Sequence, residues 1–394
     1  MTDLQATIEG AKTVLEYCGG DQAEVTMVRR RGGLTRYANS AIHQNVDSEV
    51  AEVVVRIVEG GRIGVASGRG SSVRDAKVIA DEALAIARQL EPTPGFESLP
   101  RPAPVTEAPS FDEATAQMGP AERAAFVGRI VSAAGAVDAQ AAGSFQTGSA
   151  DAVIVNSLGL EAAERQSHAS GTAMFLGGEG TAWDAFQSQD ASRIDPDTIA
   201  GYLQERYRNN RDAVDIEPGE YTVVLEPKAA ATLIGFTAYI GFGARAFLEG
   251  RSFVSNRIGE KIVGENVSLW DDAYEPAGSP TAFDGEGVPK RKLMLIEEGV
   301  ARNVAYDSLY AARAGVETTG HALGRGVNNP LPTNLVMPAG DASMEDLIAG
   351  VDRGLLVSRF HYTNVAEPNR AVLTGMTRDG TFLIENGKVT SAVK

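Results

Sequence analysis

The stretch AEVTMVRRRGGLTRYANSAIHQNVDSEVAEVVVRIVEGG, residues 23–61, decides the fold class. Residues 23–31, 34–46 and 49–58 are rich in β-branched side chains and alternate apolar with polar positions, the pattern of half-buried strands. Gly32-Gly33 and the polar Asp47-Ser48 step read as breaks between them, and Gly60-Gly61 as a hairpin turn.

Working outward, Leu4, Ile8, Ala11, Leu15 and Cys18 share one helical face over residues 3–18, with Cys18 completing the stripe as a small hydrophobe. Ser72-Val73-Arg74-Asp75 reads as a capping box opening a helix whose inner face is Val73, Ala76, Ala80, Ala83, Leu84 and Ala87. Residues 91–109 are proline-rich, which removes backbone donors and predicts an extended connector. Pro120 starts a helix carrying Ala124, Val127, Ile130, Val131 and Ala134. Strand-like segments come next at 151–156, 159–164, 168–176 and 181–189, then a helix over about 195–208 beginning at Asp195-Pro196.

The composition turns polar at Asn209-Asn210-Arg211-Asp212 and stays so through Gly219. This shift predicts two domains, 1–214 (containing the 91–109 connector) and 215–394. In the second, 221–227 reads as a strand, Pro227 opens a long apolar helix, and 291–306 forms a hairpin around Glu298-Gly299. Met344, Leu347, Ile348, Val351 and Leu355 give a helix capped by Asp341 or Ser343. Asp379-Gly380 and Asn386-Gly387 mark two hairpins in 371–393. Helices and hairpins are interspersed without regular βαβ alternation, so the expected class is α+β, with mainly antiparallel sheets and packed helices.

The chain has 394 residues, 43% of them apolar, enough to bury sizeable cores and to exclude wholesale disorder. Asp plus Glu (52) exceed Lys plus Arg (36), giving a formal charge of −16 that disfavours general nucleic-acid binding. The Arg29-Arg30-Arg31 cluster is too short to reverse this. Cys18 is the single cysteine, so no intrachain disulfide or multi-cysteine metal site forms, which fits a reducing cytosol. The opening residues do not read as a signal peptide. The longest uncharged apolar run, 229–244, is shorter than a bilayer crossing and reads as a buried helix.

His43, His168, His321 and His361 lie too far apart in sequence for two imidazoles to share a helical turn, so no HExxH-type zinc helix is present. His43, in an alternating strand, reads as structural. A G-x-S-x-G elbow is absent. Gly241-Phe242-Gly243-Ala244-Arg245-Ala246 matches G-x-G-x-x-A, but the run before it is helix-like and Gly250 interrupts the segment after it. Those glycines read instead as close packing or a helix break. Tyr306, Asp307, Thr318, Thr319, His321, Asn328, Asn329 and Asn334 crowd a Gly- and Pro-rich stretch, and His361-Tyr362-Thr363-Asn364 comes after the strand-like 355–360. Such segments often line sites; a polar surface connection is the alternative.

Residues 36–45 (RYANSAIHQN), 315–326 (GVETTGHALGRG), 332–335 (PTNL) with 340–343 (GDAS), 354–357 (GLLV) and 374–387 (TGMTRDGTFLIENG) carry a family resemblance. They resemble the TldD/PmbA family, the peptidase U62-like "modulator of DNA gyrase" group, over nearly the whole chain. The resemblance implies a cytosolic protease system. In it a TldD-type subunit carries a metal-binding HExxxH helix, and a TldE-type subunit (PmbA is also called TldE) lacks it. Together they enclose a cavity that cleaves unfolded peptides, among them leader peptides of modified peptide antibiotics and small antitoxins. Members commonly continue somewhat beyond the position of Lys394.

By that resemblance, the metal-helix position falls on Gly235, Phe236, Thr237, Ala238, Tyr239 and Ile240, within a degenerate helix over 228–248. These residues offer no imidazole or carboxylate to hold a metal or to activate water. The C-terminal cysteine that TldD-type members use as a third ligand has no counterpart. The chain is therefore identified as a TldE-like member with no catalytic residue and no cofactor of its own, a zinc-like divalent metal being expected only in a TldD-type partner. Its expected role is to bind and position peptide as a cytoplasmic heterodimer subunit, with neither nucleic acid nor membrane as partner. The alternatives are a homodimeric, metal-independent peptide-binding or regulatory protein, and an enzyme with a different site around His321 and His361. An extended peptide would add as a strand to an exposed sheet edge. Candidate cleft residues are Tyr306, Asp307, His321, Asn329, Asn334, His361 and Tyr362.

Overall fold

Alternation of apolar and polar residues over long stretches builds a large sheet first. The computed structural model describes residues 3–69, 73–178, 180–324, 326 and 329–394, without the side chains of Val73 and Arg74. Strands β1 (Gln22–Ala38), β2 (Ala41–Glu59), β3 (Arg62–Arg69), β4 (Gln140–Asn156), β5 (Glu161–Gly177) and β6 (Gly180–Ser188) form one sheet in the order β3-β2-β1-β4-β5-β6. Each is antiparallel to its neighbour.

Two expected breaks are absent from this sheet. Gly32-Gly33 and Asp47-Ser48 lie inside continuous strands, and the chain reverses instead at Asn39-Ser40. Both turn residues adopt positive φ (51° and 59°), which matches the twist of a two-residue hairpin. Gly33 stays in the ladder because the buried guanidinium of Arg123 occupies the space where its side chain would be. The Gly60-Gly61 turn is as expected, pairing Glu59 with Arg62. The four strand-like segments of 151–189 also merge into longer strands, since β4 begins at Gln140 and β5 runs unbroken from Glu161 to Gly177.

One face of the sheet is covered by helices. α1 (Asp3–Glu16) and α2 (Val73–Gln89) bury Ile8, Ala11, Ala76 and Ala83 against Val25, Val55 and Val153. The capping box expected at Ser72 lies outside the described residues. Farther along the same face come α3 (Glu113–Gln117), α4 (Pro120–Gly135) and α5 (Pro196–Asn209), with Val127, Ile130 and Leu203 packed on Tyr37, Phe145 and Phe175. Asp195 caps α5 through the Asp197 and Thr198 amides. The proline-rich 91–109 segment runs extended along the sheet, where Gln22 Oε1 accepts from Leu99 N at 2.8 Å.

The remaining chain makes smaller sheets. β7 (Thr222–Leu225), β12 (Arg353–Val357), β15 (Thr381–Glu385) and β16 (Lys388–Ala392) order as β16-β15-β12-β7, and only β7 and β12 run parallel within it. β8 (Leu269–Asp271), β9 (Leu293–Glu297), β10 (Val300–Ala301) and β11 (Leu335–Val336) order as β10-β9-β8-β11. β13 (Phe360–Glu367) and β14 (Val372–Thr377) form a separate ribbon. The helices here are α6 (Pro227–Gly241), α7 (Ala244–Leu248), α8 (Ser308–Ala314) and α9 (Met344–Ala349). The helix expected through Leu355 stops at Gly350, and Leu355 pairs in β12 with Val223 and Leu383. The architecture is α+β with mainly antiparallel sheets. Among the described residues no helix is long and apolar enough to cross a membrane.

Candidate functional site

Helix α6 is fastened at its N-terminal end. Pro227 occupies the first turn, where its missing N–H costs nothing. Glu226, just before it, accepts from the Tyr202 hydroxyl at 2.8 Å and pairs with Arg206, both on α5. Lys228 pairs with Asp184 on β6. Inward, Ala229, Ala238, Ile240 and Gly241 are buried. A side chain at Gly241 would collide with the Phe253 ring, so the glycine permits close packing where α6 breaks before α7.

Outward, Ala231, Gly235 and Tyr239 are exposed, and Tyr239 keeps 57% of its surface. This corrects the expectation of a wholly buried helix. A period of 3.6 carries every fourth residue to the same side, and no element among the described residues covers that side.

This outer face borders an open groove of about 720 Å³ framed by Tyr239, Ile240, Arg245, Glu249, Asn329 and Val365. Glu249 is held by Arg245 at 3.3 Å and by Arg251 Nε at 2.9 Å, which leaves the wall ionic with two cations to one anion. Val365 belongs to the β13–β14 ribbon. The ladder slips between His361 and Asn364. Within that bulge Tyr362 holds a φ of 50° with 73% of its surface exposed. A bulky residue at positive φ is rare and must be held by its surroundings. His361 stacks edge-on against it at 4.5 Å, and its Nε2 accepts from Arg378 at 2.9 Å.

The candidates named from sequence therefore separate. Asn329 lines the groove beside Tyr239, while His361 and Tyr362 sit on the ribbon that supplies Val365. Tyr306 is half-buried and tied through its backbone to Thr318 and Thr319. Asn328 lies outside the described residues. Asp307, His321 and Asn334 are interior and do not line the groove. Asp307 caps α8 by accepting from Tyr310 N at 2.7 Å. Asn334 bridges Ser279 N and the Asp272 carbonyl.

His321 belongs to a buried polar cluster. Its Nδ1 lies 2.8 Å from the Thr319 carbonyl and its Nε2 3.2 Å from Asp271 Oδ1, the latter poorly aligned for a straight hydrogen bond. Asp271 Oδ2 accepts from the amides of Thr333 and Asn334, and Lys290 stands 3.8 Å from Oδ1. Burial opposes ionisation of Asp271, but His321, Lys290 and the Asn334 amide prevail and lower it to about 2.

A further buried cluster has no counterpart among the sequence-based expectations. Arg56 lies across the β1–β2 ladder from Glu24 and bridges Glu24 to Glu286, each at 2.8 Å. Its signal in the sequence is a lone charge inside the apolar run Val53-Val54-Val55-Arg56-Ile57-Val58, which demands a buried partner.

The residues at Gly235 to Ile240 do not fit a metal, since they present one hydroxyl and one phenol but no imidazole, carboxylate or thiolate. Among the described residues, no group of three or more His, Cys, Asp or Glu side chains is placed to hold one.

Residues 218–394 match the family model of the PmbA/TldA metallopeptidase C-terminal domain. The Metalloprotease TldD homolog of Buchnera aphidicola is 28% identical over 225 residues, covering 55% of this chain and 46% of the relative. The Metalloprotease TldD homolog of Haemophilus influenzae is 31% identical over 147 residues, 36% of this chain and 30% of the relative. The matched region thus spans less than half the length of either. The crystal structure of TldE from Thermococcus kodakarensis superposes with a TM-score of 0.86 at 23% identity, covering 99% of this chain and 89% of that one, which establishes the shared fold. Residues 218–394 thus match the PmbA/TldA metallopeptidase C-terminal domain, and the chain throughout shares the fold of the TldE structure.

Proposed function

We propose that this chain is the metal-free, TldE-like subunit of a TldD/TldE-type protease that degrades unfolded or leader peptides. It holds and positions peptide while a TldD-type partner supplies the metal. The single observation carrying this reading is α6: its 235–240 segment has no metal-ligating side chain, yet its Gly235–Tyr239 face is solvent-exposed beside a groove. A helix that has lost its ligands but keeps an apolar, glycine-relieved face suits contact with another subunit. The β13–β14 ribbon, whose two strands pair only with each other among the described residues, offers backbone groups to an extended peptide with little demand on sequence. The proposed setting is the cytosol, in keeping with a single unpaired cysteine. The net charge of −16 would favour basic peptides slightly, an effect that salt weakens.

The test is co-purification with a metal-bearing TldD-type chain, followed by digestion of an unfolded peptide. Cleavage by the pair and by neither chain alone is expected. A stable two-fold dimer of this chain that ignores every TldD-type partner would favour the regulatory homodimer instead, and hydrolysis by the lone chain would refute the non-catalytic assignment.

A further inference from the structure

The joint between the large sheet and the second half of the chain buries four carboxyl groups, two of them paired with one guanidinium. Arg56 Nη2 donates to Glu24 Oε2 and Nη1 to Glu286 Oε1, both at 2.8 Å. Glu286 Oε2 also accepts from Ser308 N at 3.1 Å. Asp284 accepts from the amides of Glu286, Val288 and Ala322 at 2.9–3.0 Å. Asp307 caps α8 alongside. All five side chains are buried. The other charges facing the cluster are Arg313 of α8, which acts on Asp307, and the exposed Glu97 of the 91–109 segment. Arg56, Phe96, Ser98, Glu286 and Leu309 enclose a cavity of about 130 Å³ against the joint, room for water to enter.

We propose that this cluster is a proton-dependent latch: bound carboxyl protons hold segment 282–290 closed on β1 and β2, and their loss loosens it. With one buried cation, and Arg313 acting on Asp307 from α8, against four buried carboxyl groups, full ionisation is unfavourable. Glu286 remains ionised, because Arg56 and the Ser308 amide outweigh its burial. Burial pushes Glu24 up to about 7 against the pull of Arg56. Burial, with the charge of Glu286, pushes Asp284 up against the three amide bonds that favour its ionised form. Burial pushes Asp307 to about 6. Each pKa is raised in the closed state, so the stabilisation is complete below the ordinary carboxyl range near pH 4. It is lost as pH rises through about 6 to 7.

The latch connects to the groove. Asp284 holds Ala322, whose neighbour His321 accepts from Leu331 N through its carbonyl, two residues beyond groove-lining Asn329.

Hydrogen–deuterium exchange on the full chain, corrected for intrinsic pH dependence, tests the latch. Between about pH 6 and 8, protection in 22–28 and 282–290 should fall roughly tenfold, while that of α4 holds steady. Glu24→Gln and Asp284→Asn remove a titrating proton and should each flatten the fall. Equal pH profiles for the joint and α4 in the natural chain, or an unaltered fall in both variants, would overturn the proposal. Infrared spectra of the natural chain decide even if a variant does not fold: a protonated-carboxyl band at pH 6 that vanishes by pH 8 is expected, and its absence at pH 6 counts against the latch.

Discussion

Arg123 of α4 crosses directly over Gly33 of β1, and a methyl group at Gly33 would overlap its guanidinium. From that position Arg123, almost wholly buried, donates to Asp47 Oδ1 at 2.6 Å and to the Met118 carbonyl at 2.9 Å. The glycine therefore makes room for a cation that clips β2 to the helix layer. Gly33→Ala should cost about 1–3 kcal/mol, the range for forcing an extra group into a filled interior. Arg123→Ala should cost a similar amount, and the double variant much less than the sum. Urea unfolding measures all three; a loss within about 0.5 kcal/mol for Gly33→Ala would mean the guanidinium has another place to go.

Gly235 sits in the interior of α6 with nothing near the position of an added methyl group. Glycine in an exposed helix interior is about 1 kcal/mol worse than alanine. Gly235→Ala should therefore raise the melting temperature of the isolated chain. If this face docks closely on a TldD-type subunit, the same change should weaken pairing at least tenfold, as should Tyr239→Glu. Thermal unfolding and titration of the two chains separate these effects. Unchanged affinity in both variants would move the interface elsewhere.

Local pattern carries the large sheet and its helices, because alternation and capping residues are short-range signals: Asp195 caps α5 and Pro120 opens α4 as their types suggest. Gly32-Gly33 has the local signature of a break, but the deciding contact is Arg123, distant in sequence, and no local rule contains it. Asn39-Ser40 gives a weak turn signal because neither residue is glycine, although asparagine tolerates positive φ well. The candidate site is legible only in part. The missing metal ligands of 235–240 are a matter of residue type, and the groove that joins Tyr239 to Asn329 depends on tertiary packing. Polarity alone also does not separate groove-lining residues from His321, Asp307 and Asn334, whose hydrogen bonds are spent inside the fold.

Cys18 tests the burial of the α1 stripe. Its thiol donates to the Val14 carbonyl at 3.5 Å, and burial pushes it up to about 11. The thiolate is the reactive form, so alkylation at pH 8 should run roughly 100-fold slower than in the urea-unfolded chain. Equal rates would show that the end of α1 frays in solution.

The Asp271–His321 contact makes an acid-side prediction opposite in sign to that of the latch. Asp271 is lowered to about 2 in the fold, so its ionised form contributes stability above the ordinary carboxyl range near pH 4. That contribution, about 2 kcal/mol by linkage, is lost as pH falls from about 4 to 2. Asp271→Asn removes the titration and leaves Lys290 without its buried carboxylate. The variant should be markedly less stable than the natural chain at pH 7, and the gap should narrow through that acid window. Denaturant unfolding at a series of pH values reads the gap directly. A gap that stays constant down to pH 2 would mean that Asp271 acts through packing and its backbone hydrogen bonds rather than through its charge.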